Sequence, residues 1–246
     1  KGATAVSVLK GLLQKNDDQA AHNREHFDRR GILAINLMSS PGSGKTALLE
    51  ATLTALKDEF TCAVIEGDLE TENDAERIRA KGVQAHQIVT GTACHLDAHL
   101  VHDVLHHMTL DGVDLLFIEN VGNLVCPASF DLGQHLNVTL LSVTEGDDKP
   151  AKYPVMFRAA DAMLLTKTDL LAVLDDFDCD KAEAHLRNLA NPAPVMRLSA
   201  RKELEMEAWY AWLREQLAAQ RARVAVGQSR RPAIQSDGMK YHRVSA

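Results

Sequence analysis

Residues 39–46 read SSPGSGKT. They follow a short apolar run, ILAINLM (32–38), and lead into residues 45–58, where apolar positions recur at helical spacing. Strand, glycine-rich turn, Lys-Thr and helix in that order are the context that makes a phosphate loop credible. Gly42 and Gly44 let the backbone approach closely and aim N–H groups at phosphate oxygens. The helix that follows presents its positive end to the anion. On this reading residues Gly42, Ser43, Gly44, Lys45, Thr46 and Ala47 wrap a polyphosphate. Lys45 reaches the β- and γ-phosphates, and the Thr46 hydroxyl is a ligand for Mg²⁺. Ser39 departs from the usual pattern, which has Gly at that position.

The rest of the chain supplies the setting. TCAVIE (61–66), VQAHQIV (83–89), DLLFIE (114–119), VTLLSVT (138–144), DAMLLT (161–166) and PVMRLS (194–199) are further strand candidates, mostly separated by helical patterns. Several are continuously apolar, as parallel strands covered on both faces are. The expectation is an α/β fold with a mainly parallel central sheet flanked by helices. With 246 residues the chain is long enough for one large domain of this kind. Residues 1–30 read as a helix followed by a polar link, 31–226 as the phosphate-loop domain, and 227–246 as a disordered tail. A net charge of −7 argues against a nucleic-acid partner. No apolar run approaches the roughly 18–20 residues that span a bilayer, and no secretory signal is evident. Four scattered cysteines do not make a disulfide scaffold, so a cytoplasmic setting is expected.

A magnesium site needs acids at the carboxyl ends of neighbouring strands. Glu119 ends DLLFIE and is the natural candidate, whereas Asp114 lies at the wrong end of the same strand. Asp68 and Asp74 are further candidates, although an acid such as Asp74 near a helix start is also a common cap. With Lys45 and Thr46, Glu119 makes up the expected catalytic set. TKTD (166–169) follows the strand DAMLL where guanine-specific proteins carry Asn-Lys-x-Asp. Asp169 would accept from guanine N1–H and N2–H₂, donors that adenine lacks. The Lys167 stem would pack along the ring. Ser199 and Ala200, in LSA after the last strand, would present their backbone to the base. Thr166 replaces the usual Asn.

TGTACHLDAH (90–99) holds Cys94 and His95 at a strand end and helix start, and VCPAS holds Cys126 seven residues after Glu119. Thiolate and imidazole donors suit Ni²⁺, Zn²⁺ or copper, and a helix N-terminus would favour the Cys94 thiolate. Three ligands are few for a closed site, so a symmetric dimer would complete it. Cys62 and Cys179 are expected as buried apolar groups. His99, His102 and His106 share a helical face, for which an auxiliary metal face and a solvated surface serve equally well. Gly122 lies between Glu119 and Cys126, where a nucleotide switch would sense the γ-phosphate and reposition Cys126.

Together SSPGSGKT, TGTACHLDA, DLLFIENVGNLVCPASFDLG and TEGDDKPAKYP resemble the HypB family of GTPases that assist nickel insertion into [NiFe]-hydrogenases. The resemblance covers roughly residues 30–215. It implies a SIMIBI-class P-loop GTPase that dimerises with GTP and hydrolyses it to GDP; no arginine finger or catalytic Gln is evident in the sequence, so slow turnover is expected. It implies Mg²⁺ with the nucleotide, and Ni²⁺ or Zn²⁺ held by Cys94, His95 and Cys126. The implied partners are a second copy of the chain, an accessory protein of the HypA type and the hydrogenase large-subunit precursor. The urease-type nickel GTPase is the nearest alternative, but its metal motif is Cys-Pro-His and here Cys126-Pro127 is followed by Ala128. A metabolic P-loop kinase or ATPase gives TKTD and CHLDA no role, and a metal buffer whose nucleotide merely stabilises the fold would bind metal independently of nucleotide.

Overall fold

The structure, a computed structural model, describes residues 2–67, 72–91 and 93–232, with side chains from residue 11 onward except 72 and 73. Asp68 and residues 233–246 of the expected tail lie outside the described residues. The elements follow one another as α1 Gly2–Asp28, β1 Leu33–Met38, α2 Lys45–Leu56, β2 Cys62–Glu66, α3 Glu72–Arg79, β3 Gln84–Gln87, α4 Ala98–Leu105 and β4 Leu115–Glu119. Then come β5 Leu136–Ser142, the short helices α5 Lys149–Lys152 and α6 Pro154–Arg158, β6 Ala162–Thr166, α7 Cys179–Asn188, β7 Val195–Arg197 and α8 Met206–Ala225. All seven expected strands form, each within about two residues of its sequence bounds. They make one sheet in the order β3-β2-β4-β1-β5-β6-β7, with every neighbouring pair parallel.

Strand alternation sorts the apolar side chains onto two faces. Leu33, Ile35 and Leu37 of β1 join Leu115 and Phe117 of β4 under α2 and α8, against Leu49, Leu53 and the fully buried Trp209. Ala34 and the adjoining Ile32, with Leu116 and Ile118, face α1 and α4 through Phe27, Val101 and Leu132. Each fully buried Leu, Ile or Phe contributes about 1.5–3 kcal/mol. Burial on both faces is why these strands read as unbroken apolar runs. A line of buried amides crosses the second face. Asn120 donates to Asn36 (3.1 Å), and Asn36 and Gln134 donate to Asn137 (3.1 and 2.9 Å).

Residues 15–30 correct the sequence reading. As far as Asp28 they continue α1 rather than forming a polar link. Their polarity is satisfied inside the fold. Asn16 Oδ1 accepts from Ala98 N–H (2.9 Å), Asn23 donates to the carbonyls of Ala98 (2.8 Å) and Leu132 (3.1 Å), and buried Arg24 pairs with Asp131 (2.6 Å). A polar helical stretch therefore packs because it has partners 75 or more residues away in sequence. The start of the expected tail is likewise fastened, with Arg230 donating to Gln216 (2.6 Å). Among the described residues no helix is long and apolar enough to cross a membrane.

His135 is fully buried. Its Nδ1 accepts from Ala34 N–H (3.0 Å), so a neutral ring carries its proton on Nε2, facing Asp28 (3.0 Å). Burial holds the imidazole below its ordinary value and outweighs the pull of Asp28. The unfolded chain binds this proton more readily than the folded one, so stability from His135 is complete above about pH 6.5 and is lost as pH falls below it. Urea denaturation from pH 7.5 to 5 is expected to show falling stability, with a shallower slope in His135→Gln. An unchanged slope in the variant would assign the loss to other groups.

Candidate functional site

The chemistry-bearing residues gather at the carboxyl ends of the strands. A cavity of about 420 Å³ is lined by Gly42, Ser43, Gly44, Lys45, Thr46, Ala47, Glu119, Lys167, Asp169, Ser199 and Ala200, together with Arg77, Thr166 and Arg201. Every nucleotide-pocket residue expected from the sequence is thus in one place. Gly42 (φ 74°) and Gly44 (φ 96°) occupy the left-handed region that the loop requires. Gly44 directly precedes α2, whose first residues are Lys45 and Thr46.

The substitutions in the motifs acquire a physical account here. Ser39, in place of Gly, is buried, and its hydroxyl accepts from Lys45 Nζ (2.8 Å) while donating to Ser40 O (2.6 Å). Thr166, in place of Asn, donates to Ser43 O (2.7 Å) and so ties the base turn to the phosphate loop. Lys167 adopts φ 59°, and its ammonium donates to Gly42 O (2.6 Å). Asp169 Oδ1 accepts from Ser199 Oγ (2.6 Å), which places the two expected base-reading residues in direct contact.

Thr46 Oγ1 donates to Glu119 Oε1 (3.0 Å). A hydroxyl and a carboxylate converging beside the phosphate loop are the hard oxygen donors that suit Mg²⁺. Asp74 is not brought to them. It is the third residue of α3, accepts from Arg77 (3.0 Å), and is absent from the cavity lining, whereas Arg77 lines it. Arg77 also pairs with Glu50 (2.8 Å).

Glu145 was missed in the sequence. It lies in the TEGDDKPAK stretch, whose two lysines, Lys149 and Lys152, carry the charge complementary to a phosphate. Lys152 instead pairs with Asp148 at the surface (2.6 Å), and Lys149 lies over the Tyr153 ring. Glu145 accepts from Ser40 Oγ, from Ser43 Oγ (2.8 Å) and from Ser142 N–H (2.9 Å), holding the phosphate loop to the end of β5. Its only local signal is an acid three residues after a strand, which is too common to interpret.

The second cluster is Cys94, His95 and Cys126, whose ligand atoms all lie within 4.8 Å of one another. Cys94 Sγ is 3.5 Å from His95 Nδ1. The His95 ring stacks on Phe130, with centroids 3.9 Å apart. Burial lowers the affinity of His95 for a proton, against the pull of Asp97. The imidazole is therefore neutral and available at pH 7. A hydrogen bond with Cys94, then burial, pushes the Cys126 thiol up. One expectation is corrected: Cys94 is in a loop, and α4 begins only at Ala98, capped by Asp97. The helix-end argument for its thiolate does not apply. Cys62 is buried, with its thiol pushed up to about 12 by burial and then by Asp114, and Cys179 is buried too. Both fit the expected apolar role.

The two clusters share one loop. Asn123 N–H donates to Ser39 O (2.9 Å), and a Cβ on Gly122 would lie 2.9 Å from Pro41 Cα. Asn123 Oδ1 accepts from Val125 N–H (2.7 Å) and Cys126 N–H (3.4 Å). On the other side, Asn120 Oδ1 accepts from Leu96 N–H (3.3 Å), next to His95. Gly67 permits this closeness, since a Cβ there would meet Leu96 at 2.6 Å and Glu119 O at 2.9 Å. Through the backbone and the Asn120 and Asn123 side chains, contacts thus run from the phosphate loop to both segments that carry the Cys94–His95–Cys126 cluster.

The CobW/HypB/UreG nucleotide-binding domain model matches residues 33–197. The chain is 53% identical over 217 residues to the hydrogenase maturation factor HypB of Rhizobium leguminosarum bv. viciae, covering 88% of this chain and 72% of that one. It is 53% identical over 208 residues to the Escherichia coli K12 factor, covering 85% and 71%. It also superposes on the crystal structure of HypB from Helicobacter pylori in complex with nickel. That match has a TM-score of 0.78 and 45% identity, covering 83% of this chain and 96% of that one. The chain therefore belongs to the CobW/HypB/UreG family, and within it to the HypB hydrogenase maturation factors.

Proposed function

We propose that this chain is a cytoplasmic GTP-hydrolysing switch that carries nickel for insertion into [NiFe]-hydrogenase. The single observation that carries the reading is the loop 119–126. It begins at the carboxylate facing Thr46, touches the phosphate loop at Gly122 and Asn123, and ends at Cys126. Membership of the HypB family, and the nickel named for the Helicobacter pylori relative, support nickel as the cargo.

In this mechanism the N–H groups of 42–47 and Lys45 bind the phosphates and stabilise charge that develops on the transferred group. Lys45 exchanges its hydrogen bond with Ser39 for one with phosphate. Asp169 and Lys167 read guanine, with Ser199 orienting the Asp169 carboxylate. Thr46 and Glu119 would hold Mg²⁺, which when bound neutralises phosphate charge. The described pocket offers no carboxamide beside Thr46 and Glu119 to orient an attacking water, which supports slow turnover suited to timing. Cys94, His95 and Cys126 supply three ligands, leaving coordination positions for a second subunit or a recipient protein. Loss of the γ-phosphate would move the loop at Gly122 and hence Cys126, changing metal affinity. A GTP-bound dimer across this face is part of the proposal. The accessory protein of the HypA type and the hydrogenase precursor are its proposed partners.

The decisive measurement is Ni²⁺ affinity by competition titration with GDP and then with a non-hydrolysable GTP analogue, while mass is followed by light scattering. Coupled sites are expected to show a shift of about fivefold or more, the usual range for coupling between two sites. Equal affinities at constant mass would reduce the protein to a GTPase and a metal site on one chain. Cys126→Ala is expected to weaken Ni²⁺ binding while leaving GDP affinity within about twofold, since its thiol does not line the nucleotide cavity.

Two substitutions separate the halves of the switch. Asp169→Asn should weaken GDP roughly a hundredfold, about 3 kcal/mol for two lost hydrogen bonds, without strengthening ADP. A loss shared equally by GDP and ADP would deny Asp169 its base-reading role. Gly122→Ala forces its new methyl against the Pro41 backbone. It should cut nucleotide affinity and abolish the nucleotide dependence of Ni²⁺ binding. Retained dependence would exclude this loop as the link.

A further inference from the structure

Helices α1 and α4 bring together four histidines that are separate from the Cys94–His95–Cys126 group. His22 and His26 are one turn apart on α1, and His102 of α4 is one turn before His106, the residue that caps its C-terminus. Within each pair the two Nε2 atoms are 3.0 Å apart. Across the helices the His22 and His102 ring centroids are 5.4 Å apart, and those of His26 and His102 6.4 Å. The expected face of His99, His102 and His106 is thereby redrawn, since His102 meets α1 and His106 stands beside His102.

We propose that His22, His26, His102 and His106 form a second divalent-cation site, contained within one subunit, for a borderline metal of the Ni²⁺, Cu²⁺ and Zn²⁺ class. Two nitrogens each about 2.1 Å from one ion, at tetrahedral or right angles, are ~3.0–3.4 Å apart. The Nε2 spacing in both pairs already has that value. Each pair therefore forms a clamp, and rotation of the exposed His22 and His106 rings toward the half-buried His26 and His102 would bring the two clamps onto one ion.

The surroundings hold one ligand in the required state. Buried Asn23 donates through Nδ2 to the carbonyls of Ala98 and Leu132, so its orientation is fixed with Oδ1 as an acceptor. His102 Nδ1 is 3.2 Å from that oxygen and must be the donor. The neutral ring then presents the Nε2 lone pair outward, the arrangement by which an outer hydrogen bond orients a metal-binding histidine. Burial, followed by neighbouring histidines, keeps His26 and His102 below the ordinary imidazole value, which favours unprotonated ligands at pH 7. Arg30, the nearest opposing cation, is engaged with Asp111 (3.0 Å) and with the His26 carbonyl. A cavity of about 400 Å³, lined in part by His26, His102 and His106, leaves room for water ligands. An all-imidazole donor set selects against Mg²⁺ and Ca²⁺. The two helices are already clamped together by Asn16 and Asn23, so binding requires little ordering of the backbone.

This site stands on its own residues and does not depend on the GTPase reading. The test uses the full chain without nucleotide, in a Cys94→Ser/Cys126→Ser variant that removes the thiolates. Ni²⁺ alone is titrated by calorimetry and equilibrium dialysis at pH 7.5. The expected result is one Ni²⁺ per chain, without thiolate charge-transfer absorption. Adding His22→Gln and His102→Gln should weaken that binding by at least about tenfold. A second background with His26→Gln and His106→Gln, both at the helix surface, should do the same with an unchanged melting temperature. Absence of Ni²⁺ binding in the cysteine variant would overturn the proposal, as would binding that survives both histidine pairs. Either failure leaves the nucleotide dependence of the thiolate site untouched, because that is measured with the cysteines present.

Discussion

The chemistry of this protein depends on the pairing of β1 with β4 in a single parallel register, Leu37 opposite Glu119. Parallel strands end on the same side, so the phosphate loop after β1 and the segment after β4 leave the sheet side by side. From that register follow the Thr46–Glu119 hydrogen bond and the bond from Asn120 N–H to Leu37 O. The contact between Asn123 and Ser39 follows as well. A slip of two residues would keep the apolar faces matched yet separate the acid from the hydroxyl, so register is fixed by polar contacts as much as by the core.

A nucleotide pocket and a soft-metal cluster make different demands on a protein. The first needs backbone N–H groups, hard oxygens and a base-reading carboxylate, and the second needs thiolate and imidazole partly shielded from water. Both are met by loops at one end of the sheet, with the scaffold below kept stiff by burial on both faces. The line of amides through Asn36, Asn120 and Asn137 is fully partnered at its centre. Buried polar chains of that kind tolerate little displacement, because any broken member leaves a desolvated group behind. They make the strand ends a firm base beneath the loop 119–126.

The N-terminal helix illustrates how charge and polarity along a sequence mislead. KNDDQAAHNREHFDRR lacks the apolar stripe by which a packed helix is usually recognised. Asn16, Asn23 and Arg24 are nevertheless buried, because the start of α4 and the loop at Asp131 and Leu132 provide the partners. The same helix sets His22 and His26 against α4, a proximity that no local pattern carries.

The sequence by itself determined the sheet, the glycine-rich turn after β1, the place of the TKTD turn beside it and the identity of the Cys-His-Cys group. Those features depend on local rules: continuous apolar runs, glycine at positive φ, and donor types at fixed spacing. Tertiary structure alone decided the rest. It placed Glu145 under Ser40 and Ser43, turned Asp74 to Arg77, moved Cys94 off the helix end, and gathered four histidines from two helices. Each of these involves groups distant in sequence or the course of an irregular loop. Their contacts depend on where the chain returns after the core has packed, and no spacing of neighbouring residues encodes that path.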